Sequence, residues 1–154
     1  MTAPIRFTRE DVLKNTPEEI AAHILNLSNW PDFTGYGIIP GIEQAEFEIR
    51  TPEVVGTRIR AKNRDGSTHV EEIVAWDLPR RLQLRIHDFS APVCYIADHF
   101  DEFWEFTVVE EGTHITRSME LYARSFFTRP LLWLISLWLR RAIAKHLAEL
   151  RSAG

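Results

Sequence analysis

The densest group of ligand-capable side chains is the run Asp98-His99-Phe100-Asp101-Glu102. A β-strand sends alternate side chains to opposite faces, so His99 and Asp101 would share one face and could both bind a metal ion. Two ligands do not make a metal site, and nothing in the sequence supports a bound nucleotide. We therefore interpret this run as a solvent-exposed strand end, and we expect neither a metal nor a cofactor.

Glu102 and Arg117 are two charges that the predicted sheet places on an otherwise apolar face. A buried charge must be paired, because an unpaired one is very costly. The predicted hairpin leaves the two residues two same-face steps apart, which is too far for a simple contact. Arg117 could instead meet Glu71 on another strand or a ligand carboxylate. The alternative is a structural ion pair, or an arginine that reaches the rim.

The histidines are scattered, and none has the spacing of a nucleophile elbow or a zinc protease. They are His23, His69, His87, His99, His114 and His146. His146 lies beside the predicted buried stripe of the last helix and could act as a general base for an enolisable substrate. The preferred interpretation is a helix-edge histidine with solvent access. Ser125, Ser136 and Cys94 have no recognisable activating partner, so nucleophilic catalysis has little support.

Composition and charge narrow the function classes. A chain of 154 residues is long enough for one domain, 1–154, with a real core. The formal net charge of −4 argues against a nucleic-acid partner, which usually needs a basic field. The single cysteine excludes an internal disulfide. No signal peptide is recognisable, so we expect a cytoplasmic protein, and its 17 aromatic residues (9 Phe, 5 Trp, 3 Tyr) are suited to lining a cavity.

The stretch 125–151 is predicted to form one long helix around which the rest of the chain folds. Pro130 suits the first turn, and Ser125 or Thr128 could cap it. A spacing of three or four residues predicts a buried stripe. Its members are Leu132, Ile135, Leu139, Ile143, Leu147 and Leu150. The opposite arc is charged in the second half of the helix but apolar in the first half.

The apolar arc of the first half consists of Trp133, Leu134, Leu137 and Trp138. A helix that is apolar all round is expected to be covered on every side. The preferred cover is the glycine-rich loop 33–41 together with the loop 89–96. A homodimer or a peripheral membrane contact, helped by Arg129, Arg140 and Arg141, are the alternatives.

The remaining elements are predicted to be mainly strands. Thr16-Pro17-Glu18-Glu19 indicates a helix start after a first strand at 5–13, and a turn or second short helix begins at Ser28. From Ile42 to Leu121 the apolar residues alternate with period two, which brings the total to about seven strands with short connections. Such a sheet is antiparallel, and wrapping it around the last helix gives an α+β fold.

The last predicted hairpin decides which residues face inward. With Glu111-Gly112 as a two-residue turn, Glu110 pairs with Thr113. A register shifted by one would bring polar residues beside the apolar face, which is less favourable. The residues predicted to face inward are Trp104, Phe106, Val108, Ile115 and Met119.

Several short motifs occur in a specific order along the chain. They are Asn29-Trp30-Pro31, Gly56-Thr57-Arg58, the run 75–82 (AWDLPRRL) and the run 112–116 (GTHIT), followed by the long final helix. This order resembles the START/Bet v 1-like superfamily, and within it the polyketide cyclase/dehydrase and lipid-transport group. The resemblance covers nearly the whole chain. It implies a helix-grip fold, with one or two short helices after the first strand and an apolar cavity between the curved sheet and the last helix.

The resemblance does not specify an activity, because that group includes carriers, receptors and cyclases. We expect the protein to bind or transport a hydrophobic small molecule, such as a lipid, polyketide or isoprenoid. The alternatives are an aromatase/cyclase or dehydratase with a polyketide-like substrate, using His146, Glu102 or Arg117, and an interaction protein that docks through the helix arc. The predicted ligand contacts are Phe47, Ile59, Ile73, Leu84, Glu102, Trp104, Phe106, Arg117, Met119, Ile135, Leu139 and Ile143.

Overall fold

The computed structural model describes residues 3–153, which form one antiparallel sheet and two α-helices. The strands are β1 Ile5–Leu13, β2 Ile42–Ile49, β3 Arg58–Asn63, β4 Thr68–Asp77, β5 Arg81–His87, β6 Ala97–Val109 and β7 Gly112–Ala123. The helices are α1 Pro17–Leu25 and α2 Arg129–Ala153, with short 3-10 helices at Leu27–Asp32 and Val93–Tyr95. The strand order is β1-β7-β6-β5-β4-β3-β2, which confirms the predicted seven-stranded α+β architecture.

The segment between β1 and β2 is fixed by local hydrogen bonds. The Thr16 hydroxyl accepts from the Glu19 amide at 3.1 Å, and the Glu19 carboxylate accepts from the Thr16 amide at 2.9 Å. This capping box satisfies backbone donors at the start of α1. The Trp30 indole then donates to the Ile24 carbonyl at 2.8 Å, which holds the 3-10 helix against the end of α1.

Helix α2 begins at Arg129, four residues later than predicted. Residues 125–128 form a turn instead, in which the Thr128 hydroxyl donates to the Ile96 carbonyl at 2.9 Å. The Thr128 carbonyl accepts the first helical bond, from the Leu132 amide at 3.0 Å. The buried residues of the helix are Leu132, Ser136, Leu139, Ala142, Ile143 and Leu147. Ile135 and Leu150 of the predicted stripe are only half-buried.

The β6–β7 hairpin turns one residue earlier than predicted. Val109 pairs with Gly112, so the turn residues are Glu110 and Glu111, and the predicted register is wrong by two residues. A glycine is required at 112 because a Cβ there would overlap the Leu13 carbonyl of β1. A shift of two keeps every side chain on its own face, so the other inward assignments are unaffected.

Four residues of the hairpin are buried as predicted, namely Trp104, Phe106, Ile115 and Met119. Val108 is not, and 69% of its surface is exposed. Its prediction was wrong because burial along β6 ends at Phe106, before the strand itself ends. The core lies between the buried face of the sheet and α2. No helix within residues 3–153 is both long and apolar enough to cross a bilayer.

Candidate functional site

A cavity of about 350 Å³ separates the inner face of the sheet from α1 and α2. This volume is in the range of small-molecule sites in proteins. Its apolar wall includes Ile20 and Ile24 of α1, Phe33 and Ile39 of the following loop, and Phe89 and Val93 of the loop after β5.

Eight of the twelve predicted contact residues line this cavity, contributed by the strands and α2. They are Leu84, Glu102, Trp104, Arg117, Met119, Ile135, Leu139 and Ile143. The structure therefore brings them around one volume, and their contact with a ligand stays a prediction. The half-buried Ile135 and the buried Leu139 and Ile143 lie on the face of α2 that points towards the sheet.

The other four predicted contacts do not line the cavity. Ile59 and Ile73 have no exposed surface and are packed into the protein interior. Phe106 is buried in the core near the hairpin end of β6. Phe47 lies half-buried on the edge strand β2, where the Arg50 guanidinium stacks 4.5 Å from its ring centre. Period-two alternation identifies a buried face, but it does not tell which residues of that face border a void.

The polar part of the cavity is built on Arg117. Its Nε donates to Oε2 of Glu102 at 2.6 Å, and its Nη1 lies 2.9 Å from Nδ1 of His146. The guanidinium also stacks 4.3 Å from the ring centre of Trp104. The predicted separation of Arg117 and Glu102 was wrong, because in the true register Glu102 faces Met119 and Arg117 is only one same-face step away.

The contact with Arg117 determines the tautomer of His146. An arginine side chain has only donors, so Nδ1 of the imidazole must accept and the proton of the neutral ring sits on Nε2. Burial and the positive charge of Arg117 lower the pKa of His146 to about 3, so the ring is neutral at pH 7. His146 thus lies in the cavity wall rather than at a solvated helix edge, and it offers an N–H donor rather than a strong base.

Glu102 completes this group with an acidic side chain that is 4% exposed. Burial raises the pKa of its carboxyl, the Arg117 charge opposes the rise, and the nearby Glu71 charge adds to it. The carboxyl of Glu102 therefore holds its proton more readily than an exposed glutamate does.

A second polar group lies on β3 and β4. His69 Nε2 is 2.9 Å from Oε2 of Glu71, and the Asn63 amide nitrogen is 3.3 Å from His69 Nδ1. Glu71 therefore pairs with His69. The contact between Glu71 and Arg117 that the sequence analysis considered is not formed. All three residues line the cavity. Asn63 and His69 were missed, although the placement of His69 two residues before Glu71 in a predicted strand could have indicated a shared face.

The sequence matches the family described as "Polyketide cyclase / dehydrase and lipid transport" over residues 4–153. The chain belongs to this family. Its fold is similar to that of a protein from Thermus thermophilus (TM-score 0.70, 17% identity, covering 96% of this chain and 95% of that one). It is also similar to major latex-like protein 151 from Panax ginseng (0.63, 15%, 94% and 98%). No curated protein matches the sequence.

A START superfamily protein from Mycobacterium smegmatis has the same fold, with a TM-score of 0.63 at 9% identity over 97% of this chain and 99% of that one. These comparisons confirm the helix-grip fold and the resemblance to the START/Bet v 1-like superfamily. In this polyketide cyclase/dehydrase and lipid-transport family member, the sheet grips α2 and leaves the cavity between them.

In this family member, the run 98–102 of β6 contributes only Glu102 to the polar group that Arg117 and His146 complete. His99 Nδ1 lies 2.6 Å from Asp98, its ring stacks on Tyr122, and Asp101 is paired with Arg85 at 2.9 Å. Within residues 3–153, no three histidine, cysteine, aspartate or glutamate side chains are grouped as metal ligands. The prediction of a solvent-exposed strand end was wrong for Phe100, Asp101 and Glu102, which are buried, whereas Asp98 is exposed.

The predicted cover of the helix arc is present only in part. Gly37 and Tyr36 of the glycine-rich loop lie against the Trp138 ring. Trp133 and Leu134 stay 50% exposed and Leu137 stays 36% exposed. The loop thus covers the last residue of the arc and leaves the first three uncovered.

Proposed function

We propose that this protein binds an apolar small molecule that carries one neutral hydrogen-bonding group, such as a hydroxyl or a carbonyl. The observation that carries the proposal is the position of Glu102, Arg117 and His146 in the wall of a mostly apolar cavity. Sites of this kind use the apolar wall for affinity and a few polar groups for orientation.

Two N–H groups without partners, on Arg117 and His146, support a ligand with a polar end. Arg117 Nη2 and His146 Nε2 have no hydrogen-bond partner among residues 3–153. A bound hydroxyl or carbonyl could accept from one of these N–H groups, and a hydroxyl could also donate to the carboxylate of Glu102.

The charges of the site favour a neutral ligand over an anionic one. The charge of Arg117 is already matched by Glu102, and the carboxylate of Glu71 adds a negative charge nearby. A fatty-acid carboxylate would therefore meet no unmatched cation and would lose its hydration.

Displacement of a fluorescent apolar probe from the full-length protein tests the proposal. Dodecan-1-ol is expected to displace the probe at a concentration several-fold to about tenfold lower than dodecane or dodecanoate does, since one buried hydrogen bond contributes about 0.5–1.5 kcal/mol. His146→Leu should reduce this preference for the alcohol. His114→Leu should leave it unchanged, because His114 lies outside the cavity wall. Equal displacement by the three compounds, or no displacement, would overturn the proposal.

Convergence of the same groups supports a second candidate, a dehydratase- or cyclase-type enzyme. A substrate carbonyl held by Arg117 and His146 would be polarised, and Glu102 could remove a proton from the adjacent carbon. The electrons of that C–H bond form a C=C bond as a β-hydroxyl leaves, and the proton held by Glu102 joins it as water.

The enzymatic candidate is tested with a β-hydroxy ketone in D2O, followed by NMR. Water loss, or deuterium entering next to the carbonyl, is expected from the wild type and not from Glu102→Gln. Glu105→Gln, an exposed residue of the same strand, is the matched control. If Glu102→Gln leaves the rate unchanged, the candidate is wrong.

A further inference from the structure

The start of α2 and the turn before it carry a group of exposed apolar side chains. Phe126 is 72% and Phe127 is 88% exposed, and the first turns of the helix add four more such residues. We call these six residues the docking surface: Phe126, Phe127, Leu131, Trp133, Leu134 and Leu137. Single exposed apolar residues are normal, but a contiguous group of this size marks an interaction site.

The docking surface is held in place by the backbone around it. Thr128 donates to the Ile96 carbonyl at 2.9 Å, and the Arg124 amide donates to the same oxygen at 2.8 Å. These bonds tie the turn that carries both phenylalanines to the start of β6. On α2, the spacing of Leu134 and Leu137 puts them on one side of the helix, opposite the buried Leu132 and Leu139.

The stretch of chain that carries this surface is rich in positive charge. The stretch 121–148 contains no aspartate or glutamate, although the whole chain has a formal net charge of −4. Its cations are Arg124, Arg129, Arg140, Arg141 and Lys145. None of them forms an ion pair with a carboxylate in the part of the chain that the structure describes; Arg129 and Lys145 donate to the carbonyls of Ala3 and Gly35 instead.

We propose that the docking surface binds to a lipid bilayer that contains anionic lipids. Exposed phenylalanine, tryptophan and leucine side chains enter the boundary between headgroups and acyl chains, and flanking arginines are attracted by anionic headgroups. The unpaired charges of Arg124 and Arg141 match such a surface.

A second copy of the chain fits the docking surface less well. In a two-fold symmetric dimer the same patch faces itself, so the unpaired arginines around it would face the same arginines of the second copy. Like charges brought together in this way oppose association.

The docking surface is continuous with the cavity along α2. Leu131 is exposed, and Ile135 and Leu139, which follow it at intervals of four residues, line the cavity. A bilayer contacting Leu131 would therefore lie one helical turn from the cavity wall. This position suits a protein whose apolar ligand is taken from, or delivered to, a membrane.

Co-sedimentation of the full-length protein with vesicles tests the proposal. Vesicles of phosphatidylcholine with about 30% phosphatidylglycerol should bind the protein, and high salt or phosphatidylcholine alone should weaken binding severalfold. Phe127→Ser/Trp133→Ser is expected to reduce binding at least about tenfold. Arg124→Gln/Arg141→Gln should reduce it on anionic vesicles and should lower its sensitivity to salt.

Val108→Ser is the matched control, because Val108 is an exposed apolar residue at the other end of β6. This variant should bind vesicles like the wild type. Absence of wild-type binding, or equal binding by Phe127→Ser/Trp133→Ser, would overturn the proposal. A dimer in analytical ultracentrifugation that this double variant dissociates, without vesicle binding by the wild type, would identify a second copy as the occupant. Ligand uptake from solution should be unaffected by these variants, so the two proposals fail separately.

Discussion

At the scale of single residues, Arg117 organises the polar part of the cavity. It is 6% exposed and contacts Glu102, His146 and the face of Trp104 at once. A buried arginine of this kind is not an efficient source of stability, because desolvation offsets much of the attraction. Its removal is nevertheless costly, because the remaining carboxylate would be buried without a partner.

Arg117→Met should lower the free energy of unfolding by about 3–5 kcal/mol at pH 7, since it leaves Glu102 unpaired in the interior. Urea unfolding followed by circular dichroism measures this loss. The double variant Arg117→Met/Glu102→Leu should recover most of it. Arg6→Met, which breaks an exposed pair with Glu120, should cost less than about 1 kcal/mol. An equal loss in Arg117→Met and the double variant would contradict this account.

His146 should make the protein sensitive to acid. Its pKa is lowered in the folded state from 6.5 to about 3, so between these values the unfolded chain binds a proton that the folded chain does not. Stability therefore falls as pH drops through this window, by up to about 1.4 kcal/mol per pH unit. The raised pKa of Glu102 acts in the opposite direction, because the folded state then binds the proton more readily.

His146→Gln separates these two effects, since its amide oxygen can still accept from Arg117 but does not titrate. Urea unfolding at several pH values between about 7 and 4 should show a smaller loss of stability on acidification in this variant than in the wild type. His114→Gln is the matched control, because this half-buried histidine lies outside the cavity wall. Parallel curves for the wild type and His146→Gln would show that the imidazole is not responsible.

At the scale of elements, the loop 33–41 connects the 3-10 helix to β2 and packs on α2. Gly37 has a φ of +59° and touches the Trp138 ring, so a side chain there would meet both backbone strain and overlap. The loop also contributes Phe33 and Ile39 to the cavity wall. The packing of this loop against Trp138 therefore affects the shape of the cavity.

Gly37→Ala should destabilise the protein more than Gly66→Ala does. Both glycines have positive φ, so both variants bear about 1–2 kcal/mol of strain. Only residue 37 has a neighbour in the way, which should add about 1–3 kcal/mol. Urea unfolding measures the difference, and the tryptophan emission of Gly37→Ala should change as the loop leaves Trp138. Equal losses in the two variants would show that the contact contributes nothing.

The β6–β7 hairpin shows how far the sequence predicts the fold. Alternation predicted the inward faces of both strands, because a register error of two residues leaves faces unchanged. It could not predict the contact between Glu102 and Arg117, which depends on the register itself. The glycine at 112 suggested a turn, but its purpose is the close approach of Leu13, a contact between residues about 100 positions apart.

Only those parts of the cavity wall that lie in regular strands and helices could be predicted from the sequence. Strand and helix periodicity identified residues such as Leu84 and Leu139, whose faces repeat along an element. Phe33, Phe89 and Val93 lie in irregular segments, where no period tells which side chain points inward. A cavity is also a property of several elements packed together, so the sequence of one element does not define it.

At the scale of the whole molecule, the cavity lies between the sheet and a helix, α2, that is attached to its surroundings near each end. Arg151 at the end of α2 pairs with Asp11 of β1 at 3.2 Å, and the Thr128 hydroxyl anchors the start of the helix to Ile96. The helix is thus fixed at both ends, while its middle faces a volume that protein atoms do not fill. A larger side chain in the middle of α2 would therefore occupy the space available to a ligand.

Ile135→Trp should close the cavity to a ligand, because the larger side chain would project from a half-buried position in its wall. Leu131→Trp is the matched control, since it makes a comparable change one turn earlier on the same helix, at a residue that is 48% exposed and outside the cavity wall. The apparent affinity of Ile135→Trp for the fluorescent probe should fall at least about tenfold. Leu131→Trp should bind the probe like the wild type. The urea unfolding of Ile135→Trp should stay close to that of the wild type, because the indole fills a void rather than a packed site. Unchanged probe binding by Ile135→Trp would place the ligand somewhere other than between the sheet and α2.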